Sequence, residues 1–454
     1  MKILQINKFY FTCGQGGGAS RYFFDLTKLL ESNGHEVIPF SMQHKDNLAT
    51  PFAKYFVSNF DLTQPRLTWQ AIKNLGRIFW SREAAQKLEK LIQDTNPDLV
   101  HVHNIYYHLT PSILRVCKKH NLPVVMTVHD FNLICPNYSL FDGHKICQSC
   151  VAGKPWQCGL KKCVKNSWIA SWLAVAIFYF QKYGQFYQKY VDLFLCPSQF
   201  VADKLILAGF PMDKIKVLPH FVSTSHAEHM RSAQCLWLVS ASSINDVDSG
   251  SCLRSSTNSE LRQGKAEPGM TTAKDRNDND SRYILYFGRL EPGKGVDLLI
   301  KAVKRLPRID IKIIGSGSQE LALKKLAKNN ANIEFLGWQD KEGLARQIQG
   351  AEFVIVSSRA YETFGLSVLE AFSFAKSVIV TNLGALPELV KHKQIGLLFD
   401  AGDIDDLSDK IKYLWDNPDL AIAMGQAGQK MAREKYSAIG HYQKLLNLYL
   451  ALKI

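Results

Sequence analysis

The stretch RYILYFGRLEPGKGVDLLIKA, residues 282–302, contains one complete structural unit of this chain. Its first part is a short apolar run that ends at glycine, which is typical of a buried strand. A turn with glycine and proline follows, and then apolar residues at helical spacing. A strand that leads through a tight turn into a helix is the repeating unit of a parallel α/β sheet.

The turn of this unit carries two cations. Arg289 follows Gly288, where the predicted strand ends, and Lys294 lies between two glycines. Charge-assisted hydrogen bonds are worth about 1.5–3 kcal/mol each, so two cations at the carboxyl end of a strand suit a diphosphate. The alternative interpretation is a Pro-Gly turn whose charges are solvated.

Strand-like runs separated by amphipathic segments fill both halves of the chain. In the second half the predicted strands span residues 282–290, 309–317, 332–338, 352–358, 377–382 and 396–400. In the first half they span residues 2–8, 35–41, 98–103, 122–129 and 192–198. This alternation predicts an α/β protein with two Rossmann-like, doubly wound parallel-sheet domains that face a cleft. Ligands of such sheets bind at the carboxyl ends of the strands, so the cleft is the expected site.

A polar segment separates the two halves. Residues 223–282 contain 12 serines in 60 positions and show no lasting periodicity. This composition favours a disordered or loosely packed insert. We therefore divide the chain into an N-terminal domain (1–222), the insert (223–282), a C-terminal domain (283–435) and a final helical segment (436–454).

The composition is that of a globular protein that attracts anions. The chain has 454 residues, of which 46% are hydrophobic, and its formal net charge is +14. This charge favours a nucleotide, a nucleic acid or an anionic membrane as partner. Lys and Arg never form a run of five or more, which argues against nucleic acid. The first residues lack the features of a signal peptide, so we expect a cytoplasmic location.

A glycine-rich motif, GQGGGASRY at residues 14–22, lies between a predicted strand and a predicted helix at residues 21–34. Its glycines, including Gly17 and Gly18, allow the backbone to approach a bound group closely. The free N–H groups and the dipole of the following helix favour an anion there. A flexible turn without a ligand is the alternative.

The stretch YETFGLSVLEAF, residues 361–372, holds two glutamates eight positions apart. Glu362 precedes a turn at Gly365, and Glu370 lies in a predicted helix. Carboxylates accept hydrogen bonds from hydroxyl pairs, such as those of a sugar or a ribose. One acid would then bind a sugar and the other a ribose, with phosphate at the helix end between them. An acid favoured by the helix dipole would explain Glu370 but not Glu362.

The spacing of Glu362 and Glu370 resembles the E-x7-E motif of the retaining glycosyltransferases of family 4, which have the GT-B fold. GRLEPGKGVDLLIKA (288–302) resembles the beginning of the second domain in that family. The N-terminal domain of the family is similar to HEV (35–37), PDLVHVHN (97–104), TVHDF (127–131) and PSQFVADKL (197–205). The resemblance covers most of the chain, and one departure is Ala375, where the family usually has glycine.

The resemblance implies a role for each charged residue of these motifs. Arg289 and Lys294 would bind the diphosphate of the donor. Glu370 would accept hydrogen bonds from the ribose, and Glu362 from the transferred sugar. Since cations and helix ends neutralise the leaving group, no metal is expected to take part in catalysis.

The resemblance also implies roles for residues without charge. The backbone expected to contact sugar and phosphate is that of Phe364, Gly365 and Leu366. His129 would lie across the cleft, near the reacting sugar, while Gly17 and Gly18 would face the phosphates and the acceptor. The final segment, 436–454, is expected to cross back to the N-terminal domain.

A cysteine cluster forms a separate motif with the spacing C-x2-C-x7-C-x4-C. Its members are Cys147, Cys150, Cys158 and Cys163, and Cys135 is an alternative ligand. Four thiolates close a tetrahedral zinc site, so a structural zinc is one interpretation. Free thiols are the other, while a disulfide is the least favoured in the cytoplasm.

The resemblance to family 4 implies an enzyme that transfers a sugar from a nucleotide-diphosphate sugar to a glycan or a lipid-linked acceptor with retention of configuration. Polysaccharide, lipopolysaccharide or glycolipid synthesis is the expected setting. Two alternatives stay open: a GT-B sugar-nucleotide epimerase, and a non-catalytic scaffold that binds nucleotide sugars.

The aromatic stretch 168–190 allows two interpretations. Its apolar spacing favours a core helix of the first domain. Its aromatic residues and lysines also suit a membrane interface near a lipid-linked acceptor, on the cytoplasmic face of an anionic membrane. The apolar run within it, 168–180, is too short to span a bilayer.

Overall fold

The computed structural model describes residues 1–11, 17–60, 76–222 and 282–452, and each half of the chain forms one parallel sheet. The first sheet consists of β1 (Lys2–Ile6), β2 (Glu36–Phe40), β3 (Leu99–Val102), β4 (Val124–Thr127), β5 (Leu193–Cys196) and β6 (Ile215–Val217). The second consists of β7 (Tyr283–Phe287), β8 (Asp310–Ile314), β9 (Ile333–Gly337), β10 (Phe353–Val356), β11 (Ser377–Thr381) and β12 (Gly396–Phe399). The strand orders are β2-β1-β3-β4-β5-β6 and β12-β11-β10-β7-β8-β9. The predicted fold class, two doubly wound α/β domains, is confirmed.

Every predicted strand is present, because each one is a short apolar run. All four residues of β3, of β4 and of β5 are buried, as expected for strands covered on both faces. The sequence analysis missed β6. Of its three residues only Ile215 is buried, so this edge strand leaves no apolar pattern.

Helices connect the strands and cover both sheets. Those of the first half are α1 (Gly17–Ser32), α2 (Arg82–Thr95), α3 (Ser112–Lys119), α4 (Gln157–Leu160), α5 (Trp168–Gly184), α6 (Phe186–Tyr190) and α7 (Gln199–Leu207). Those of the second half are α8 (Val296–Val303), α9 (Glu320–Ala327), α10 (Lys341–Gly350), α11 (Leu366–Ser373), α12 (Leu386–Leu389), α13 (Ile404–Asp416), α14 (Pro418–Lys435) and α15 (Ala438–Ala451). In the described ranges, none of these helices combines the length and the apolarity that a transmembrane span requires.

Two predicted segments fall largely on residues that the structure does not describe. The glycine turn was expected at 14–20, but α1 already begins at Gly17, whose φ of 56° only glycine adopts easily. Residues 12–16, which hold the rest of that motif, lie outside the described residues. So do residues 223–281, almost the whole of the predicted insert.

The last helix, α15, packs on the N-terminal domain. The Tyr449 hydroxyl lies 2.6 Å from Nδ1 of His101, a buried residue of β3. Nε2 of His441 lies 3.0 Å from the Tyr22 hydroxyl of α1. Buried polar groups are costly unless they are hydrogen-bonded, so these two pairs specify where the helix docks.

Ala375 adopts a conformation that explains why glycine suits this position. Its φ is 54°, in the left-handed region, directly after the end of α11. Its N–H donates to the carbonyl of Phe372 (3.0 Å), and that of Lys376 donates to the carbonyl of Ala371 (3.0 Å). This is a Schellman-type helix end, where a Cβ atom is unfavourable.

Replacing Ala375 with glycine is therefore expected to stabilise the protein. The relief of left-handed strain exceeds the added freedom of the unfolded chain, leaving a gain of about 0.5–1 kcal/mol. Urea denaturation of the two proteins measures this gain. Ala322→Gly, at an exposed position inside α9, is the matched control and should cost about 1 kcal/mol. A loss of stability in Ala375→Gly would contradict the prediction.

Candidate active site

Two loops at the carboxyl edge of the second sheet are joined by their backbones. One follows β7 and the other follows β10, which is adjacent to β7 in the sheet. The N–H of Arg359 donates to the carbonyl of Gly293 (2.8 Å), and the Ser357 hydroxyl donates to the carbonyl of Lys294 (3.1 Å). A Cβ atom at Gly295 would lie 2.0 Å from the Ser357 carbonyl oxygen. Only glycine allows this approach, which brings Lys294 to the second loop.

Glu362, on the second of these loops, lies in contact with Lys294. Lys294 Nζ donates to Glu362 Oε1 at 2.6 Å, and the Ser358 hydroxyl donates to the same oxygen at 2.5 Å. Burial raises the pKa of the Glu362 carboxyl, but Lys294 and weaker partners outweigh burial, so the pKa lies below its ordinary value. Glu362 is therefore a carboxylate at neutral pH, with a cation at its side.

Arg289 lies beside this pair and is a solvent-exposed cation. Its side chain is exposed, and no carboxylate within the described part of the chain forms an ion pair with it. Its charge nevertheless acts on Glu362 and, across the cleft, on Asp130. The position therefore suits a further anion between the two domains.

Glu370 lies on α11, which begins after a glycine in a left-handed conformation, Gly365 (φ 113°). Its carboxylate forms an ion pair with Arg21 of α1, in the other domain. The Glu370 side chain is only 11% exposed, so this acid lies in the wall of the cleft. The first residues of α1 and of α11 therefore meet across the cleft.

The glycines of α1 lie opposite the loops of the second domain. A Cβ atom at Gly17 would lie 3.9 Å from Nε of Arg289, and one at Gly18 would lie 3.0 Å from Cδ1 of Leu366. Phe364, by contrast, is 3% exposed, and its ring packs against His220. Phe364 can therefore offer only its backbone to a ligand.

His129 follows β4 and is half-buried beside a buried histidine, His103. Its Nε2 lies 2.9 Å from Nδ1 of His103, and its ring stacks on that of the same residue. Burial lowers the pKa of His129 to about 3, so the imidazole is neutral at physiological pH. A neutral ring at this position can donate or accept a hydrogen bond but supplies no charge.

Direct hydrogen bonds join the two domains around His129. The Thr363 hydroxyl donates to the His129 carbonyl at 3.0 Å, and the Ser198 hydroxyl donates to the Thr363 carbonyl at 2.8 Å. The Glu388 carboxylate accepts from the backbone N–H groups of Gln199 (2.9 Å) and Phe200 (2.6 Å), at the beginning of α7. The loop that carries Glu362 is thereby bound to the first domain.

Both halves of the chain match models of known protein families. Residues 16–226 match the model described as Glycosyltransferase Family 4, and residues 271–431 match the model described as Glycosyl transferases group 1. The chain belongs to family 4 of the glycosyltransferases. The predicted family is thus confirmed, and Arg289, Glu362 and Glu370 of this family 4 chain all lie within the group 1 match.

Curated relatives match a limited part of the family 4 chain. A D-inositol 3-phosphate glycosyltransferase of Mycobacteroides abscessus is 34% identical over 143 residues, 30% of this chain and 32% of that protein. A GDP-mannose-dependent monoacylated alpha-(1-6)-phosphatidylinositol monomannoside mannosyltransferase of Corynebacterium glutamicum is 32% identical over 160 residues, 33% of this chain and 42% of that protein. The chain spans less than half the length of the curated relatives it matches.

Solved structures are similar over nearly the whole family 4 chain. HepE of Anabaena in complex with UDP-glucose has a TM-score of 0.62 at 17% identity, covering 99% of this chain and 100% of that one. Sucrose-phosphate synthase of Thermosynechococcus elongatus has a TM-score of 0.64 at 16% identity, covering 99% and 98%. At this identity the similarity shows the fold, which is the predicted GT-B architecture.

The structure brings most of the predicted site residues to one cleft, and it adds two that the sequence analysis missed. Arg21 contacts Glu370 from the other domain, and Ser358 donates to Glu362. Ser358 follows the apolar run of β10, where a polar residue at the carboxyl end of a strand is a signal that the sequence analysis did not use. Arg21 lies within the glycine-rich motif (14–22), but nothing in the sequence pairs it with a residue of the second domain.

The cysteine cluster lies beside the cleft in two thiol pairs. Cys135 and Cys150 are hydrogen-bonded to each other, and so are Cys158 and Cys163. Cys147 instead accepts from Lys161 Nζ at 3.2 Å. Within the four described ranges no three or more metal-binding side chains converge as an ion would require. The structural zinc therefore stays a prediction, which metal analysis of untagged protein would test.

Asp130, next to His129, is a half-buried acid with a raised pKa. Its Oδ1 accepts from the Tyr106 hydroxyl at 2.8 Å and from the N–H of Asn132 at 2.9 Å. Burial raises the pKa of Asp130 from 3.8 to about 6, although these hydrogen bonds oppose the shift. The charged form is thus disfavoured in the folded protein.

The substitution Asp130→Asn is expected to stabilise the protein in a pH-dependent way. In the wild type, ionisation of Asp130 lowers the free energy of unfolding. This loss is absent below pH 3.8, where the acid is protonated in both states, and complete above about pH 6. The variant avoids this cost, so its free energy of unfolding should exceed that of the wild type by about 1–3 kcal/mol above that range and by little below it. Chemical denaturation across the pH range measures the difference. Asp409→Asn, at an exposed position of α13, is the control, and an equal gain at every pH would contradict the prediction.

Proposed function

We propose that this chain transfers a sugar from a nucleotide-diphosphate sugar to a glycan or a lipid-linked acceptor, with retention of configuration at the anomeric carbon. The observation that carries the proposal is the contact between Lys294 and Glu362 at 2.6 Å, with Arg289 open beside it. A carboxylate next to two cations suits a ligand that joins hydroxyls to a diphosphate. Sugar nucleotides are such ligands.

The cations act on the leaving group. When the bond between sugar and diphosphate breaks, negative charge develops on the phosphate oxygen. Arg289 and Lys294, together with the N–H groups at the beginning of α11, stabilise this charge. We propose that they do so without a catalytic metal.

The two glutamates bind hydroxyl groups on either side of the diphosphate. Glu362 is ionised and can accept from the transferred sugar while it keeps Lys294 in place. Glu370 accepts from the ribose, whose hydroxyls replace its contact with Arg21. Arg21 then lies beside the nucleotide, where its positive charge attracts the diphosphate.

Retention follows from attack on the face from which the diphosphate leaves. The bond from the anomeric carbon to the phosphate oxygen breaks, and a bond to the acceptor oxygen forms on the same face. The proton of the acceptor hydroxyl passes to the departing phosphate oxygen, so no protein nucleophile is needed. His129, being neutral, orients a sugar hydroxyl by a hydrogen bond and does not supply charge.

The names of similar proteins agree with this donor class. One curated relative is a GDP-mannose-dependent mannosyltransferase, and one solved neighbour was crystallised with UDP-glucose. We propose a role in the synthesis of a polysaccharide, a lipopolysaccharide or a glycolipid, at the cytoplasmic face of a membrane.

A two-step experiment tests the proposal. Thermal shifts with UDP-, GDP- and ADP-sugars identify the donor, since a ligand at 100 times its Kd stabilises the folded state by about 2.7 kcal/mol. The selected donor, labelled in the sugar, is then incubated with glycan and lipid-linked acceptors. Transfer that keeps the anomeric configuration supports the proposal. Donor binding without transfer or hydrolysis, unaffected by Glu362→Ala, would favour a scaffold instead.

A further inference from the structure

Helix α5 is apolar on two opposite faces. Its inner face, with Ala174, Val175 and Phe178, is buried in the first domain. No charged residue occurs from its beginning at Trp168 as far as Gln181. The outer face is therefore an apolar surface that faces solvent, which an ordinary surface helix avoids.

The outer face of α5 continues onto α4 and forms one exposed patch, which we call the aromatic face. Its members are Trp156 (41% exposed), Leu160 (51%), Trp168 (47%), Ile169 (76%) and Trp172 (42%). The two helices touch at this patch, because a Cβ atom at Gly159 would lie 2.6 Å from the Trp172 ring. Nζ of Lys162 lies 5.0 Å from the centre of the Trp168 ring. The aromatic face is thus a continuous surface with three tryptophans.

Lysines predominate in the segment that carries the aromatic face. Between Asp142 and Asp192 the sequence contains seven lysines and neither aspartate nor glutamate. Lys154, Lys161 and Lys165 of this segment are exposed. Asp142 at the border of the segment acts on Lys161, but the described residues from 143 to 191 contribute positive charge only. A uniformly anionic surface is complementary to these lysines.

We propose that the aromatic face binds the surface of an anionic lipid bilayer. Tryptophan rings favour the level of the lipid headgroups, and lysines beside them contact lipid phosphates while their stems cover apolar surface. Because α5 carries its apolar residues on a helix that is packed against the domain, it lies along the membrane and does not cross it.

The same helix connects this surface to the cleft. Ile177 and Phe178 of its inner side line a small cavity together with Tyr106, whose hydroxyl donates to Asp130. If the proposed function is correct, a lipid-linked acceptor in the bound membrane would lie close to the acceptor side of the site. Membrane binding itself does not depend on that function.

Flotation with lipid vesicles tests the proposal. The full chain is mixed with vesicles of phosphatidylcholine alone or of phosphatidylcholine with phosphatidylglycerol. We expect binding to the anionic vesicles and a loss of at least tenfold in Trp168→Glu/Ile169→Glu, whose side chains are exposed and outside the proposed catalytic machinery. Lys161→Gln/Lys165→Gln should weaken binding by about fivefold per lysine. Leu321→Glu/Ile439→Glu, which changes apolar residues that are 85% and 69% exposed elsewhere, is the matched control and should bind as the wild type does.

The outcomes are distinct. No binding of the wild type to anionic vesicles, or equal binding by Trp168→Glu/Ile169→Glu, would overturn the proposal. So would a dimer of the wild type in ultracentrifugation that this variant dissociates while vesicles have no effect, because the face would then bind a second copy. Transfer to a short soluble acceptor should be unchanged in the variant, so failure of membrane binding and failure of the proposed activity are told apart.

Discussion

Glu362→Gln is expected to lower kcat for sugar transfer by about 1,000-fold, which corresponds to about 4 kcal/mol of transition-state stabilisation. Glutamine keeps the size of the side chain but removes the charge. The hydroxyl of the transferred sugar loses its strongest acceptor, and Lys294 loses the carboxylate that positions it at 2.6 Å. Steady-state kinetics with the donor found by thermal shift measure the effect.

The same variant has a stability effect that separates a structural role from a catalytic one. Glu362 and Lys294 are 19% and 27% exposed, so breaking their pair should cost about 1–3 kcal/mol. Since the Glu362 pKa is lowered from 4.5, the wild type keeps this contribution above about pH 4.5 and loses it as the pH falls. The two proteins should therefore converge in stability in acid.

The matched control for this prediction is Glu334→Gln, at an exposed position of β9. It should change neither kcat nor the pH dependence of stability. If Glu362→Gln transferred sugar at the wild-type rate, the site would not be the one described, even if the chain proved to be a glycosyltransferase.

Arg289→Gln is the second substitution with a large expected effect, a loss of about 100-fold or more in kcat. The Arg289 side chain is exposed and forms no ion pair with the described residues, so the protein should fold with unchanged stability. In the ternary complex, however, one of the two cations beside the leaving diphosphate would be missing. The reaction should slow more than donor binding weakens, because the charge on the phosphate oxygen grows as the bond breaks.

Two companion variants make this prediction sharper. Arg289→Lys restores the charge but not the planar pair of donors, so it should recover only part of the rate. Arg308→Gln removes an exposed arginine just before β8, at the opposite edge of the sheet from the loop after β7, and should behave as the wild type does. An increase in KM with an unchanged kcat would assign Arg289 to donor binding alone.

The sequence predicted the fold well because local patterns encode it. Eleven of the twelve strands were visible as apolar runs, and the missing strand, β6, has two exposed residues out of three. The beginning of α1 was placed too late, because helix propensity argues against glycine although Gly17 can begin a helix. The family usually has glycine where this chain has Ala375, which is consistent with a left-handed φ there. Only the structure shows the helix end that causes this conformation.

The site was predictable only in part. The positions of Arg289, Lys294 and Glu362 follow from the sheet, since loops after neighbouring parallel strands meet at one edge. The contact of Arg21 with Glu370 does not follow, because it depends on how two separately folded domains pack. For the aromatic stretch 168–190 the sequence left a core helix and a membrane interface open, since an apolar helix has the same sequence pattern whether one or both faces are covered.

By itself, then, the sequence determined the elements, their parallel arrangement and the chemical character of the cleft, because hydrophobic periodicity and glycine turns act over a few residues. The tertiary structure alone decided which charges meet across the cleft, which histidines lose their charge by burial and which apolar face remains exposed. These properties depend on contacts between residues that are not neighbours in the sequence, as with His103 and His129 or Arg21 and Glu370, and no local pattern records them.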